Sequence, residues 1–416
     1  MDRVLHSVTL DTAKCVGCTH CVKRCPTQAI RVRDGQAVIL SERCVDCGEC
    51  IRVCPHHAKK AKHDSLSALQ NYAYTVALPA PALYGQFHNL DDVDVVLTGL
   101  LKLGFNDVFE VSSAAEIVSD ATRKMMADGL VKKPVISSAC PVVVRLIRIR
   151  FPNLLDHVLP VKAPMEVAAA MARQRAMAKT GLSPDQIGIF FISPCPAKVS
   201  DVRNPLTDAR SQVDGVLSIA DIYPKLVNEM NNLEQIRPLS HSGLIGTSWS
   251  FIGGEAAGLL NENHLAADGI ENVIKILGEL EDEKLTDLDF IELNACAGGC
   301  VGGVFTAENG YVARARIKHL RKYLPVSCNR AEDIGNLKSL NWSLPLTAQP
   351  SLRLAENVAD AMRLMQEAEN IYAKLPKLDC GACGAPTCMA LAEDIVRGTA
   401  TLSDCFRTRE KQEGLV

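Results

Sequence analysis

The sequence carries no surplus of charge of either sign: 45 Lys and Arg stand against 48 Asp and Glu in 416 residues, a formal net charge of −3. That balance argues against a nucleic-acid binder or a polybasic membrane-surface protein, both of which need a strong positive excess. No stretch approaches ~18 uninterrupted apolar residues, so no transmembrane helix is expected. The opening Met-Asp-Arg-Val-Leu-His lacks the apolar run of a secretion signal, and a cytoplasmic location is the expectation. What the sequence has in plenty is cysteine. There are 17, and in an intracellular chain of this size they suit metal ligation better than disulfides. Eight fall between Cys15 and Cys54, four between Cys380 and Cys405, and the rest are Cys140, Cys195, Cys296, Cys300 and Cys328.

The first region, 1–65, holds an internal repeat. Cys15-Val-Gly-Cys18-Thr-His-Cys21-Val-Lys-Arg-Cys25-Pro26 is followed by Cys44-Val-Asp-Cys47-Gly-Glu-Cys50-Ile-Arg-Val-Cys54-Pro55. Each half reads C-x2-C-x2-C-x3-C-P, the run of bacterial two-cluster ferredoxins, in which the fourth cysteine ligates the other cluster. One [4Fe-4S] cluster is therefore expected on Cys15, Cys18, Cys21 and Cys54, and another on Cys44, Cys47, Cys50 and Cys25. Short spacings keep three thiolates on one loop around a cube face, and the distant fourth ties the halves together. Beyond Cys54, His56-His57-Ala-Lys59-Lys60-Ala-Lys62-His63 reads as a solvated linker face, or as a docking patch for an acidic redox partner.

The last region, 352–416, opens on a stretch that reads as one helix over 352–374, with Leu354, Val358, Met362, Met365 and Ala368 on one face. That stripe is expected to pack on the central domain, with a homodimer contact as the alternative. Cys380-Gly-Ala-Cys383-Gly-Ala-Pro-Thr-Cys388 then leads through a helix to Cys405. The spacing resembles the small Fe–S domain of corrinoid proteins and suggests a third accessory [4Fe-4S] cluster. Cys328 has no evident partner and is expected to be a small buried hydrophobe.

The central region, 72–348, alternates short apolar runs with helix-like stretches, the pattern of an α/β domain. Strands are expected at Thr75–Leu78, Asp107–Val111, Pro134–Ser138, Ile187–Ile192, Asp214–Leu217 and Leu288–Leu293, and helices near 91–103, 113–128, 164–179 and 219–231. Cys140, Cys195 and Cys296 each follow a strand-like run, and α/β sheets build their sites at strand ends. Cys300 follows Cys296 across Ala-Gly-Gly, whose glycines let the backbone approach a bulky group. Four convergent cysteines can hold one buried [4Fe-4S] cube; spacing goes no further.

Ser137-Ser138-Ala139-Cys140-Pro141, Ser193-Pro194-Cys195-Pro196-Ala197-Lys198 and Asn294-Ala295-Cys296-Ala297-Gly298-Gly299-Cys300-Val301-Gly302-Gly303 resemble, in that order, the three signature loops of [FeFe]-hydrogenases, roughly TSCCP, MPCTAK and MACPGGCxGG. The resemblance implies a two-lobed α/β hydrogenase domain, with an α+β ferredoxin module before it and a small helical Fe–S domain after it. It also implies an H-cluster: a [4Fe-4S] cube on Cys140, Cys195, Cys296 and Cys300, with Cys300 bridging to a diiron site. That site carries CO, cyanide and an azadithiolate, and dedicated maturases insert it. Lys198 matches the family lysine that hydrogen-bonds one cyanide. Leu78-Pro79-Ala80-Pro81-Ala82 resembles the segment that cradles the other, with Ala82 where a serine is common.

Departures from the family pattern fall at the chemistry. Productive members place a proton-passing cysteine where this chain has Ala139, and a methyl group neither donates nor accepts a proton. Their relay continues through two glutamates on a preceding helix and a serine. Here that helix reads Glu116-Ile-Val-Ser119-Asp120-Ala-Thr122, and the serine's place falls at Leu159-Pro160. Ser193 and Asn294 replace two methionines beside the diiron site, which should alter its potential. This pattern resembles the sensory [FeFe]-hydrogenases, which keep the H-cluster and turn over slowly. The implied activity is slow, reversible conversion of H2 to protons and electrons. Electrons would pass through the clusters to a ferredoxin-like redox partner or to a signalling protein such as a kinase or phosphatase. A PAS domain often follows in such relatives, so the signal leaves through a separate partner or the chain continues past Val416. Two alternatives stay open. One is a productive ferredoxin-linked hydrogenase with a non-cysteine proton route, for which Glu166 and Glu292 are the carboxylates to test. The other is an Fe–S electron-transfer or assembly protein that lacks the diiron site.

Overall fold

The computed structural model describes residues 6–335, 337–349 and 353–412. The chain divides into two compact units, one formed by the segment up to Ser7 with Lys62–Ala348, the other by Val8–Ala61 with the chain from Gln349 onward.

The larger unit is built on two all-parallel sheets. One runs in the order Asp107–Val108, Tyr74–Pro79, Ile187–Ser193, Gly215–Ser218; the other runs His264–Asp268, Phe290–Asn294, Val135–Ile136. Ile187–Ser193, sequence IGIFFIS, is buried along its whole length, as a parallel strand covered on both faces should be. It pairs with its neighbour from Tyr74↔Ile187 to Pro79↔Ile192. Helices Val93–Lys102, Val111–Ala127, Pro164–Thr180 and Ile219–Asn231 flank these strands. The strand expected over Asp107–Val111 stops at Val108, because the next helix begins at Val111 with Glu110 at its N-cap position.

Two further helices, Pro141–Arg150 and Pro196–Arg203, each begin with a proline directly after a cysteine. Proline is at home at the first helical position, where its missing N–H is not needed. Cys140 and Cys195 are thereby seated at helix N-termini, where the backbone dipole favours negative charge.

In the smaller unit Val8–Leu10 pairs antiparallel with Lys59–Ala61, and Ile30–Arg33 with Gln36–Ile39. The internal repeat shows in the backbone: φ is positive at Gly17, Thr19 and Gln28 and at their counterparts Asp46, Gly48 and His57. Lys59 is not on a solvated face; strand alternation turns it inward, 3% exposed, while Lys60 turns out. The two halves of this unit are joined by a buried charge cluster. Arg31 grips Asp394 with two nitrogens at 2.6 and 3.1 Å, and Arg33 adds a third contact at 2.7 Å.

The helix expected from 352 begins at Val358, where the Asn357 side chain accepts the Asp360 N–H at 2.7 Å; residues 350–352 lie outside the described residues. Its Leu/Met stripe is not core. Val358, Met362 and Met365 are exposed, and the helix buries its last turns instead, with Ala368, Ile371, Tyr372 and Leu375 against the Cys388–Val396 helix. That second helix stops well short of Cys405, because Gly398 turns the chain at φ +72° and Thr399 N–H caps the Asp394 carbonyl. Cys328 is exposed rather than buried: its segment is pinned through the backbone, Cys328 N–H donating to Glu116 at 2.9 Å. Among the described residues no helix is long and apolar enough to cross a membrane.

Candidate active site and cluster sites

Both parallel sheets of the larger unit send strand ends to one cavity. Val135–Ile136 leads to Cys140 and Phe290–Asn294 to Cys296 and Cys300, while Ile187–Ser193 of the other sheet leads to Cys195. All four cysteines line a cavity of about 100 Å³, together with Ala80, Pro81, Ala82, Ala139, Lys198 and Asn294. Burial, then the neighbouring Cys296, Cys140 and Cys300, push the Cys195 thiol well above its ordinary value. Cys300 is pushed up to about 12 by burial, then by Cys140 and Cys296, with the Lys198 ammonium pulling the other way. Cys300 does have accessible surface, but it is the surface of the cavity.

The loop after Cys296 fits its place only as glycine. A Cβ on Gly303 would sit 2.0 Å from the Pro194 carbonyl oxygen, and Gly299, at φ +91°, has Ile252 N 2.5 Å from where a Cβ would be. Lys198, on the helix after Cys195, lies 3.5 Å from Asp201. Asn294 reaches the cavity and donates to Glu292 at 3.0 Å. Ser193 is turned back on its own loop: its hydroxyl accepts the Cys195 N–H at 3.1 Å and donates to the Cys195 carbonyl at 3.0 Å.

Two carboxylates reach the same cavity, Glu292 and Glu255. Glu292 accepts N–H groups from Gly253 at 3.0 Å and Ala256 at 2.9 Å. Despite these donors, burial pushes it up to about 7. Glu255 is raised well above the carboxylate range by burial and by the charge of Glu292. It accepts from the Ser137 hydroxyl at 2.7 Å, and that oxygen in turn accepts the Ala139 N–H at 3.2 Å. Glu255 escaped the sequence reading; a lone carboxylate inside Gly-Gly-Glu-Ala-Ala-Gly is the only signal it leaves. Glu166 lies apart, in a small polar cavity with Lys162, Asp201 and Asp208, held by Ser211 and by Gln212 N–H at 2.8 Å.

In the smaller unit Cys15, Cys18, Cys21 and Cys54 line one small cavity, and Cys25, Cys44, Cys47 and Cys50 line another. Cys383 is raised by burial and, through their charge, by Cys405 and Cys380; Cys388 packs in the same cluster as Cys383 and Cys405. Burial and, after it, the neighbouring thiols raise the proton affinity of Cys21, Cys44, Cys47 and Cys50 as well, while, against burial, backbone N–H groups lower that of Cys54. Such sets are comfortable as thiolates only around a cationic core, and all-cysteine donors in fours are the set of an iron–sulfur cube. The residues fit the group.

Residues 73–251 and 255–304 match the family described as iron only hydrogenase large subunit, C-terminal domain. Residues 7–55 match a 4Fe-4S dicluster domain, and 375–406 a small Fe-S cluster family. The chain is 29% identical over 227 residues to the periplasmic [Fe] hydrogenase large subunit of Nitratidesulfovibrio vulgaris, covering 48% of this chain and 52% of that one. With iron hydrogenase 1 of Clostridium pasteurianum it shares 24% over 253 residues, 53% of this chain and 44% of that one. It thus spans about half the length of the curated hydrogenases it matches. It is also 30% identical over 113 residues to the cytosolic Fe-S cluster assembly factor NAR1 of Sclerotinia sclerotiorum, 27% of this chain and 19% of that one. An [FeFe]-hydrogenase structure from Chlamydomonas reinhardtii shares the fold, with a TM-score of 0.52 at 17% identity over 68% of this chain and 95% of that one.

Proposed function

The chain belongs to the iron-only hydrogenase large-subunit family, and on that premise we propose that it is a sensory [FeFe]-hydrogenase. It binds H2, converts it slowly and reversibly to protons and electrons, and passes the electrons through iron–sulfur clusters to a redox or signalling partner. One observation carries this reading: Ala139 lines the cavity beside Cys140, so a methyl group stands where a proton would be handed on. Cys140, Cys195, Cys296 and Cys300 would hold the cube, and the cavity they line would take the diiron group. When bound, that group supplies the irons at which H2 is taken up and split. Lys198 would offer its ammonium to that group's anionic ligands, and Ala80, Pro81 and Ala82 add a small apolar lining to the same cavity. Glu292, poised near neutrality, can take and release a proton at its carboxylate oxygens. Glu255 and Ser137 extend that route along the loop of Cys140.

Infrared spectroscopy of the anaerobically purified chain, loaded with a synthetic diiron precursor, tests this. CO and cyanide bands that shift reversibly under H2, with low turnover, are the expected result. Fast turnover would instead favour a productive hydrogenase working through Glu292 and Glu255. The match to the assembly factor supports a second reading, a protein of cubes alone. Absent bands with iron near ~16 atoms per chain, in place of ~18, would establish it.

A further inference from the structure

The two halves of the repeat in the smaller unit place their ligands alike and their charges differently. In each half the fourth cysteine's sulfur accepts a backbone N–H, from Ala29 to Cys25 at 3.2 Å and from Ala58 to Cys54 at 3.3 Å. The next residue is Ile30 in one half and Lys59 in the other, both 3% exposed. Lys59 lines the cavity of Cys15, Cys18, Cys21 and Cys54, and Ile30 lines the other. Among the described residues the Lys59 ammonium is buried with no hydrogen-bond acceptor. Burial raises the Cys21 and Cys50 thiols, and the Lys59 charge is the next largest influence on both, in the opposite sense.

A second departure points the same way. Gly17 stands between Cys15 and Cys18, whereas its counterpart between Cys44 and Cys47 is Asp46, 1% exposed. Its carboxylate lies 3.9 Å from the Cys44 sulfur and accepts the Val8 N–H at 3.1 Å. One site has a buried cation where the other has isoleucine. The other has a buried anion where the first has glycine.

We propose that Lys59 and Asp46 set the order in which the two ferredoxin-type clusters take electrons, the cluster on Cys15, Cys18, Cys21 and Cys54 filling first. Four thiolates outweigh the positive core of a cube, and reduction adds one more negative charge; net charge and local hydrogen bonding tune such potentials. A buried ammonium favours the reduced state and a buried carboxylate opposes it, both with little screening. Lys59 lines the first cavity and not the second, so its lift falls mainly on the first potential. The favoured site is the one against which the C-terminal module docks. Val32, which lines it, donates its N–H to the Gly384 carbonyl at 2.9 Å, and Arg33 donates to the Cys383 carbonyl at 3.2 Å. Electrons held there rest beside the third cluster site. The inference rests on cubes filling these two sites, and not on the chemistry of the hydrogenase cavity.

EPR-monitored redox titration of the full chain tests it, with Cys18→Ser as a marker for which signal belongs to the first site. Lys59→Met keeps the side chain's length and removes its charge; Asp46→Asn keeps an acceptor for Val8 and removes the other. Expected are a first-site midpoint higher than the second in the parent, a fall in the first larger than in the second for Lys59→Met, and a rise in the second for Asp46→Asn. Lys59→Arg should leave the gap in place. Unmoved midpoints at full iron content, a larger fall at the second site, or loss of iron from Lys59→Arg as well as Lys59→Met would overturn the proposal. A parent chain without either ferredoxin-type signal would remove its premise, whatever the cavity bands show.

Discussion

The two units hold cysteines in fours by opposite means. In the ferredoxin repeat of the smaller one, three cysteines share a loop a few residues long, and the fourth comes from the other half of the repeat. In the larger one, four ligands come from three strand ends in two different sheets, and the chain between Cys140 and Cys300 must fold before they meet. A local site is nearly complete once its loop closes. A convergent site exists only in the finished fold, but in exchange it has walls: alanines, a lysine and two carboxylates come with the ligands.

The sharpest way to break that comparison is to remove one convergent ligand. Cys296→Ala should lose about six of ~18 irons and all infrared bands of the diiron group, while the ferredoxin-type EPR signals persist. Joint loss of every cluster would mean the two kinds of site are not independent. Next in size is Asp394→Asn, which leaves Arg31 buried without its anion. It should destabilise the smaller unit by roughly 3–5 kcal/mol in denaturant unfolding and leave the cavity intact. The smallest effect concerns pH. Glu292 has a folded value near 7, above that of an unfolded glutamate. Its contribution to stability is therefore fully present below the unfolded value and is lost as pH rises through about 7. Glu292→Gln should flatten the fall in stability across that window and the pH dependence of H2 oxidation with it; unchanged profiles would remove Glu292 from the proton route.

What was legible follows the same division. The grouping of the loop cysteines could be written down from Cys-x-x-Cys spacing, including which fourth cysteine joins which cavity, because the geometry is local. The four cysteines of the cavity could be listed but not their walls. Pro141–Arg150 reads VVVRLIRIR after its proline, a β-branched run with no helical stripe, and becomes a helix through the N1 proline and tertiary packing. Glu255 acquires its meaning only from Glu292, contributed by a strand far along the chain. Lys59 sat in a basic stretch that looked like a solvated face, and the position of Ile30 in the first half was the clue to its burial. Val358, Met362 and Met365 had helical spacing without a partner surface, and periodicity alone does not supply one.

The grip of Arg31 and Arg33 on Asp394 has a consequence for the order of events during synthesis. The smaller unit is discontinuous, with Lys62–Ala348 inserted in its sequence. The loop this closes is long, but its entropic cost grows only with the logarithm of its length. Domains tend to fold as they leave the ribosome, first half first. Here the ferredoxin repeat emerges early with two arginines aimed at an aspartate that has not yet been made. The module therefore waits, its flank uncovered, for Lys62–Ala348 to pass before Asp394 arrives to finish it.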